Sequence, residues 1–225
     1  VVYDFRQNDL KNGGQGAPLA PIFHKLLVNK KKIPLPVMIL NIGGIANLTS
    51  IDEKKEMDCS DLGPGNCMID QWIRFNSKNK IKYDKDGKIA KSGRVNLKIF
   101  KKIVKRYKKF FKLDKRKISF DVKDFDISLV KGLSLKDGAA TLTEFTGNVI
   151  SNIIIDLITL KIEQSKKYGK YKILVCGGGR KNKTLMKTID RSFIYLSKEP
   201  ILSTIEILNI DGNFVESQAF AYLAI

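Results

Sequence analysis

The residues best placed to do chemistry gather in one short stretch, Asp58-Cys59-Ser60-Asp61-Leu62-Gly63-Pro64-Gly65-Asn66-Cys67-Met68-Ile69-Asp70. Two glycines around a proline, closed by an asparagine, dictate a tight turn with unusual backbone angles. Asp61, at its lip, is a carboxylate on a short, stiff mount: a general base, a metal-ordering group or a plain solvated acid. A base needs only hydrogen-bond reach to the proton it removes. A helix is expected from about Asn66, since Met68, Ile69, Trp72, Ile73 and Phe75 recur at roughly helical spacing. A helix opening so close to a glycine turn offers free backbone N–H groups, which suit phosphate or a polar sugar. An ordinary strand–turn–helix corner would look the same from this motif alone.

Other glycine segments add to it. Gly177-Gly178-Gly179, with Arg180-Lys181-Asn182 behind it, lets a nucleotide lie directly on the backbone. It matches neither the Walker phosphate loop nor the dinucleotide fingerprint. Gly43-Gly44 sits inside residues 38–49, an apolar stretch that reads as one glycine-containing strand. It predicts a bulge or a close approach by phosphate, with Asn41 and Asn47 as polar edges. Gly13-Gly14-Gln15-Gly16 makes a further loop whose backbone can approach a ligand. Together the pieces fit a phosphoryl-transfer site, in which positioning and electrostatics do most of the work and Mg²⁺ neutralises the phosphates.

The elements that must position these groups alternate. Residues 1–6 read as a strand and residues 19–28 as a helix with Ile22, Phe23, Leu26 and Leu27 on one face; His24 then falls on the other side, at the surface or rim. Residues 29–36, three lysines followed by Pro34 and Pro36, read as a linker. Residues 77–93 are polar, with a turn signature at Tyr83-Asp84-Lys85-Asp86-Gly87. Residues 97–112 form an amphipathic helix, Ile99, Phe100, Ile103, Val104, Tyr107, Phe110 and Phe111 facing inward and lysines outward. Residues 139–164 are long enough for a buried helix. Residues 171–176 are a buried parallel strand, followed by a helix over 183–190. A strand over 201–208 and a last helix from Phe214 complete an α/β pattern with a largely parallel sheet. In such sheets ligands sit outside the carboxyl ends of the strands, where Asp61, the triple glycine and Asp211-Gly212 all fall.

Composition sets the outer bounds. The 225 residues carry 41 Lys+Arg against 23 Asp+Glu, a net charge of +18. That charge invites nucleic acid or an anionic membrane as partner. Lysines scattered through many short runs read better as solvated surface, and the aromatics of residues 97–112 are needed inside. Three cysteines, at 59, 67 and 176, form no metal-spaced pair, and one histidine cannot anchor an ordinary zinc site. No apolar run reads as a membrane span and no signal peptide opens the chain, so a cytoplasmic protein without membrane or nucleic-acid partner is expected. The chain lacks an initiator methionine and stops inside an apolar helical pattern, which reads as a fragment cut at both ends.

In this order the motifs resemble those of the anhydro-N-acetylmuramic acid kinase family, part of the actin-like, sugar-kinase and heat-shock ATPase superfamily. The resemblance rests on Asp4-Phe5-Arg6, Gly13-Gly14-Gln15-Gly16-Ala17-Pro18-Leu19, Asn41-Ile42-Gly43-Gly44-Ile45-Ala46-Asn47-Leu48-Thr49 and Asp61-Leu62-Gly63-Pro64-Gly65-Asn66. Asp70, Asp84, Gly87, Asp137-Gly138-Ala139-Ala140-Thr141, Cys176-Gly177-Gly178-Gly179 with Asn182, and Glu216-Ser217-Gln218-Ala219 extend it over nearly the whole chain. It implies an α/β, actin-like (ribonuclease H-like) fold: the end of a first lobe over residues 1–36 and a second, nucleotide-binding lobe over 37–225. It implies ATP-dependent opening of the 1,6-anhydro ring with phosphorylation of the 6-oxygen, giving N-acetylmuramic acid 6-phosphate in cell-wall recycling. Asp61 would activate the attacking water. Asn41, Gly43, Gly44 and Asn47 would form the second phosphate loop, with Gly63, Gly65 and Asn66 beside it. Gly177, Gly178, Gly179 and Asn182 would hold the nucleotide, and Asp4, Arg6, Gln15 and Glu216 would face the sugar. ATP with Mg²⁺, no metal held by protein side chains alone, and a homodimer complete the expectation.

Two departures stand out. Leu62 occupies a position where the family pattern has threonine, which removes a hydroxyl beside the expected base. Residues 117–124 align only at Ser119 and Asp121, and the family's first phosphate loop would precede Val1. The competing readings are a basic module binding nucleic acid or a membrane surface through residues 97–117, and an actin-like kinase acting on another sugar.

Overall fold

In the computed structural model, residues 3–13, 16, 19–110, 119–165, 171–195 and 200–224 are described. The sheet is built on two nearly uninterrupted apolar strands, β1 (Val37–Ile42) and β4 (Lys172–Cys176), paired in parallel with Leu40 opposite Val175. Such continuous runs bury both faces of a strand. Met38, Leu40, Ile42, Ile173 and Val175 point into one core, while Val37, Ile39, Leu174 and Cys176 point into the other, as the two-residue period of a strand requires. β2 (Ile45–Ile51) runs antiparallel to β1 and to β3 (Met57–Pro64), and β5 (Ile201–Thr204) runs parallel to β4. The order is β3-β2-β1-β4-β5. With β2 alone reversed among the described strands, the other four bring their carboxyl ends to one edge. The result is a mixed, largely parallel α/β sheet, as the alternation of strands and helices predicts.

Helices cover both faces. On one, α2 (Ala20–Lys30) lays Phe23, Leu27 and Val28 against the sheet beside Val215 and Ala219 of α8 (Val215–Leu223). On the other lie α3 (Cys67–Asn76), α5 (Leu97–Tyr107), α6 (Leu135–Ser165) and α7 (Lys183–Tyr195). α6 is the central pillar: Leu142, Phe145, Ile150, Ile153 and Ile154 are fully or nearly fully buried, and Trp72 donates its indole N–H to the Leu135 carbonyl at 2.9 Å. By length and composition Leu135–Glu163 is apolar enough to cross a membrane, contrary to the expectation that no run reaches that length; 67% of its most apolar window is buried inside this fold. Two short helices, α1 (Phe5–Lys11) and α4 (Lys88–Lys91), complete the set used below.

Several local expectations are corrected. Phe5 and Arg6 lie in α1 instead of a strand. Residues 38–49 are two strands, because Gly43 and Gly44 reverse the chain so that Ile42 faces Ala46 across the ladder. β5 ends at Thr204 and a 3-10 turn takes Ile205–Leu208, whose Ile205 seals the α2/α8 core. α7 runs on to Tyr195, beyond residue 190. In α5, Ile103 and Tyr107 are buried and Val104 is exposed, so the apolar stripe is narrower than the periodicity suggests. Phe111 and residues 112–117 lie outside the described residues.

Candidate functional site

Two cavities open at the edge where the four strands end. The first, of about 460 Å³, is lined by Arg6, His24, Asn41, Asn47, Asp61 and Glu216, with Ser119 and Phe120 closing one side. Asp61 reaches it because β3 is bulged. Ala46 pairs with Gly63 and Asn47 with Asp61, leaving Leu62 as an extra residue. A bulge bends its strand and re-aims the adjacent side chain. Gly63 absorbs the distortion with φ 137°, a backbone angle that side chains rarely tolerate. Leu62 itself is fully buried in the α3/α6 core and does not line the cavity, so its lost hydroxyl is a change in the core. Asp61 is buried, and its Oδ2 accepts the Phe120 N–H at 2.8 Å, which fixes the carboxylate's orientation.

His24 also borders this cavity, where a surface or rim position was expected. It is 1% exposed, with Nδ1 2.8 Å from the Thr49 hydroxyl, and burial pulls its pKa down to about 4. The reason is that α2 is covered on two sides, by the sheet and by α8, so the side of the helix that periodicity assigns to solvent is enclosed. Cys176, at the end of β4, lines the same space, and burial pushes its thiol up to about 12, leaving it protonated. Arg6 and Glu216 are exposed residues at the cavity wall. Asp4 is exposed at the start of α1 and lies outside that wall, and Gln15 lies outside the described residues.

The second cavity, of about 490 Å³, takes Asn66, Asp70, Asp84, Gly178 and Asn182 together with Arg74, Lys82, Lys85 and Lys181. Four cations stand with three carboxylates, Asp70, Asp84 and Asp86, so the pocket can take a polyanion together with a cation. Burial lifts the Asp70 carboxyl to about 6, the Asp84 charge adding to the rise and Arg74 opposing it. Asp84 is buried, and its two oxygens each accept a backbone N–H, from Ile89 and Ala90 at 2.8 Å. Asn182 caps α7, its Oδ1 accepting the Leu185 N–H at 3.0 Å.

The glycines divide into two groups. A side chain on Gly65 would sit 2.4 Å from the Gly43 carbonyl; on Gly177, 2.3 Å from the Asn41 amide oxygen; on Gly179, 2.2 Å from Ile42. These three are small because protein packs on them. The Gly43 and Gly44 carbonyls accept N–H groups from Asn66 at 2.8 Å and from Gly65 at 2.9 Å, so the hairpin turn is riveted to the start of α3. Gly43, Gly44 and Gly178 meet no such crowding, and Gly178 faces the second cavity. The turn is thereby bounded by residues of both cavities, Asn41 and Ile45 of the first and Asn66 of the second.

Sequence reasoning missed Arg180. It is buried, donates to the Gly177 carbonyl at 2.8 Å, and meets Glu206 at 2.6 Å and Asp211 at 3.6 Å. Burial would raise the Glu206 carboxyl, but hydrogen bonds from Arg180 and the backbone outweigh it and hold the group at about 2. Arg180 therefore ties the triple glycine to the turn before α8. An arginine after three glycines has no periodicity to announce that role.

Comparison with known proteins matches this arrangement to one family. The profile described as anhydro-N-acetylmuramic acid kinase matches residues 1–225. Curated proteins of that name are 47% identical in Pelagibacter ubique, 40% in Zymomonas mobilis and 35% in Rhodospirillum rubrum, each over 100% of this chain. The chain spans only 57%, 56% and 55% of those relatives, about half their length. Among solved structures, an activator of 2-hydroxyisocaproyl-CoA dehydratase from Clostridium difficile with bound ADPNP aligns over 89% of this chain and 67% of its own, with 13% identity and a TM-score of 0.40.

Proposed function

The chain belongs to the anhydro-N-acetylmuramic acid kinase family, and on that premise we propose that it supplies the nucleotide pocket and most of the sugar cleft of such a kinase. The reaction is hydrolytic opening of the 1,6-anhydro ring of anhydro-N-acetylmuramic acid coupled to phosphorylation of O6 by ATP. Water attacks the anomeric carbon, the bond from that carbon to O6 breaks, and O6 takes the γ-phosphoryl group, releasing ADP. Residues 1–36 are the end of the first lobe and residues 37–225 the second.

The observation that carries this reading is the pair of cavities flanking the Gly43–Gly44 turn, which lines neither: Asn41 and Ile45 line the first, and Asn66, bonded to Gly43, lines the second. Asp61 lies in the first, fixed by the bulge and by the Phe120 N–H, and takes the proton of the attacking water. Asn41, Asn47, Arg6 and Glu216 line the same cleft and orient the sugar, with Asp4 and Gln15 assigned to the substrate side by the family motifs. Gly178, Asn66 and Asn182, with Arg74, Lys82, Lys85 and Lys181, suit ATP in the second cavity. Gly43 and Gly44 present backbone to the phosphates between them, while Gly63, Gly65, Gly177 and Gly179 permit the close packing that shapes the turn.

Mg²⁺ is bound mainly by substrate phosphates and one or two carboxylates. The second cavity fits that pattern, since Asp70 can contribute a carboxylate while both Asp84 oxygens are engaged. Among the described residues no group of three or more His, Cys, Asp or Glu side chains is placed to hold a metal ion. When bound, Mg²⁺ would neutralise phosphate charge. A homodimer in the cytoplasm is the setting proposed.

Mass spectrometry of the product made by the protein of full family length tests the proposal. Incubation with ATP and the anhydro sugar should yield a species heavier by one phosphate plus one water, with oxygen from labelled solvent at the anomeric carbon. A phosphorylated product retaining the anhydro ring, or no product, overturns it.

A further inference from the structure

The sole histidine of the chain is enclosed, yet it borders the sugar cleft. His24 is held on α2 with Nδ1 against the Thr49 hydroxyl of β2 at 2.8 Å. That bond fixes the ring plane and fills one nitrogen. The other nitrogen, Nε2, has no protein partner among the described residues, and the residue lines the cleft with Asp61, Asn47 and Glu216. A polar group at a cleft wall with no protein partner is completed by water or by a ligand.

We propose that His24 is a sugar-binding residue, its Nε2 making one hydrogen bond to a hydroxyl group of the carbohydrate in the first cavity. The inference rests on the assignment of that cavity to the sugar. A hydroxyl is the fitting partner because it can donate or accept, and so can serve whichever nitrogen the Thr49 contact leaves protonated. Burial keeps the ring neutral near pH 7, which favours a neutral hydroxyl over phosphate. Thr49 acts as a positioning residue, through the ring.

Paired amide substitutions in the protein of full family length separate this role from plain core packing. The Gln amide reaches roughly where Nε2 lies, and the shorter Asn amide reaches Nδ1. His24→Asn keeps the Thr49 bond but should raise the KM for the sugar about tenfold, the loss of roughly one hydrogen bond, with the KM for ATP unchanged. His24→Gln should restore most of the sugar KM even where its melting temperature falls. The opposite pattern, with Asn as good as wild type for the sugar and Gln impaired only through stability, overturns the inference. Should either variant fold poorly, Thr49→Val frees the ring without touching the cleft: a raised sugar KM supports the role and an unchanged one contradicts it. Wild-type protein that binds ATP but never turns over the sugar defeats the assignment of the cavity itself, and that result is read before any variant.

Discussion

Asp61 and His24 show how much one residue's setting decides. Both lie buried at the same cleft, one a carboxylate oriented by a backbone N–H, the other a neutral imidazole. The unfolded chain binds a proton on His24 near its ordinary pKa of about 6.5, whereas the folded chain does so only near 4. Between those values the unfolded state holds more protons, so stability falls as pH drops from about 6.5 toward 4 and is fully present above that window. The expected loss is on the order of 3 kcal/mol. Denaturant titrations across that range should show it in the wild-type chain and not in His24→Gln. Asp70 works in the other direction, since its raised pKa adds stability as pH falls through about 6, and comparing variants cancels that contribution. At Gly65 an added methyl must push aside the Gly43 carbonyl 2.4 Å away. Gly65→Ala should therefore cost about 1–3 kcal/mol and weaken nucleotide binding, as read by thermal unfolding with and without ATP. Asp61 was legible from its turn, because carboxylate, glycine and proline are close in sequence. His24 was not, because what encloses it comes from α8, almost two hundred residues later.

At the scale of elements, the site is made by joints between strands and helices. The Gly43–Gly44 turn is bonded to the start of α3, and Arg180 clamps the triple glycine against Glu206 and Asp211. Arg180→Met should leave the Gly177 carbonyl without its donor and cost about 1–3 kcal/mol, with a larger loss of ATP affinity than of sugar affinity, measured by calorimetry. Asn182→Ala should remove the α7 cap for about 1 kcal/mol and touch the same ATP pocket. The alternation of strands and helices, and the long helix α6, could be read from apolar runs because burial on both faces leaves that signature. The hairpin at Gly43–Gly44 hid inside an apolar run, since its reversal needs only glycines and carries no polar turn residues. The bulge at Leu62 could not be seen at all. It exists only as a register between two strands, and no local pattern in β3 specifies its partner.

On the scale of the whole molecule, strand direction gathers distant segments at one sheet edge and leaves two cavities of similar volume, one lined by Asn41 and Ile45 and the other by Asn66. The net charge of +18 is spread over surface lysines, including the outer face of α5. Reversing Lys98, Lys101 and Lys105 to glutamate should leave turnover within about twofold, since none of the three lines either cavity and exposed charges are screened at physiological salt. A collapse of activity would favour a basic-module role for that helix. In the proposed function the β3 bulge delivers a base into a sugar cleft distinct from the nucleotide pocket. Turnover by Asp61→Asn in the full-length protein, measured beside its ATP affinity, tests it most directly. The expected result is a fall in kcat of about 10²–10⁴-fold with ATP binding unchanged; near-normal turnover, or loss of ATP binding in step with activity, overturns the assignment.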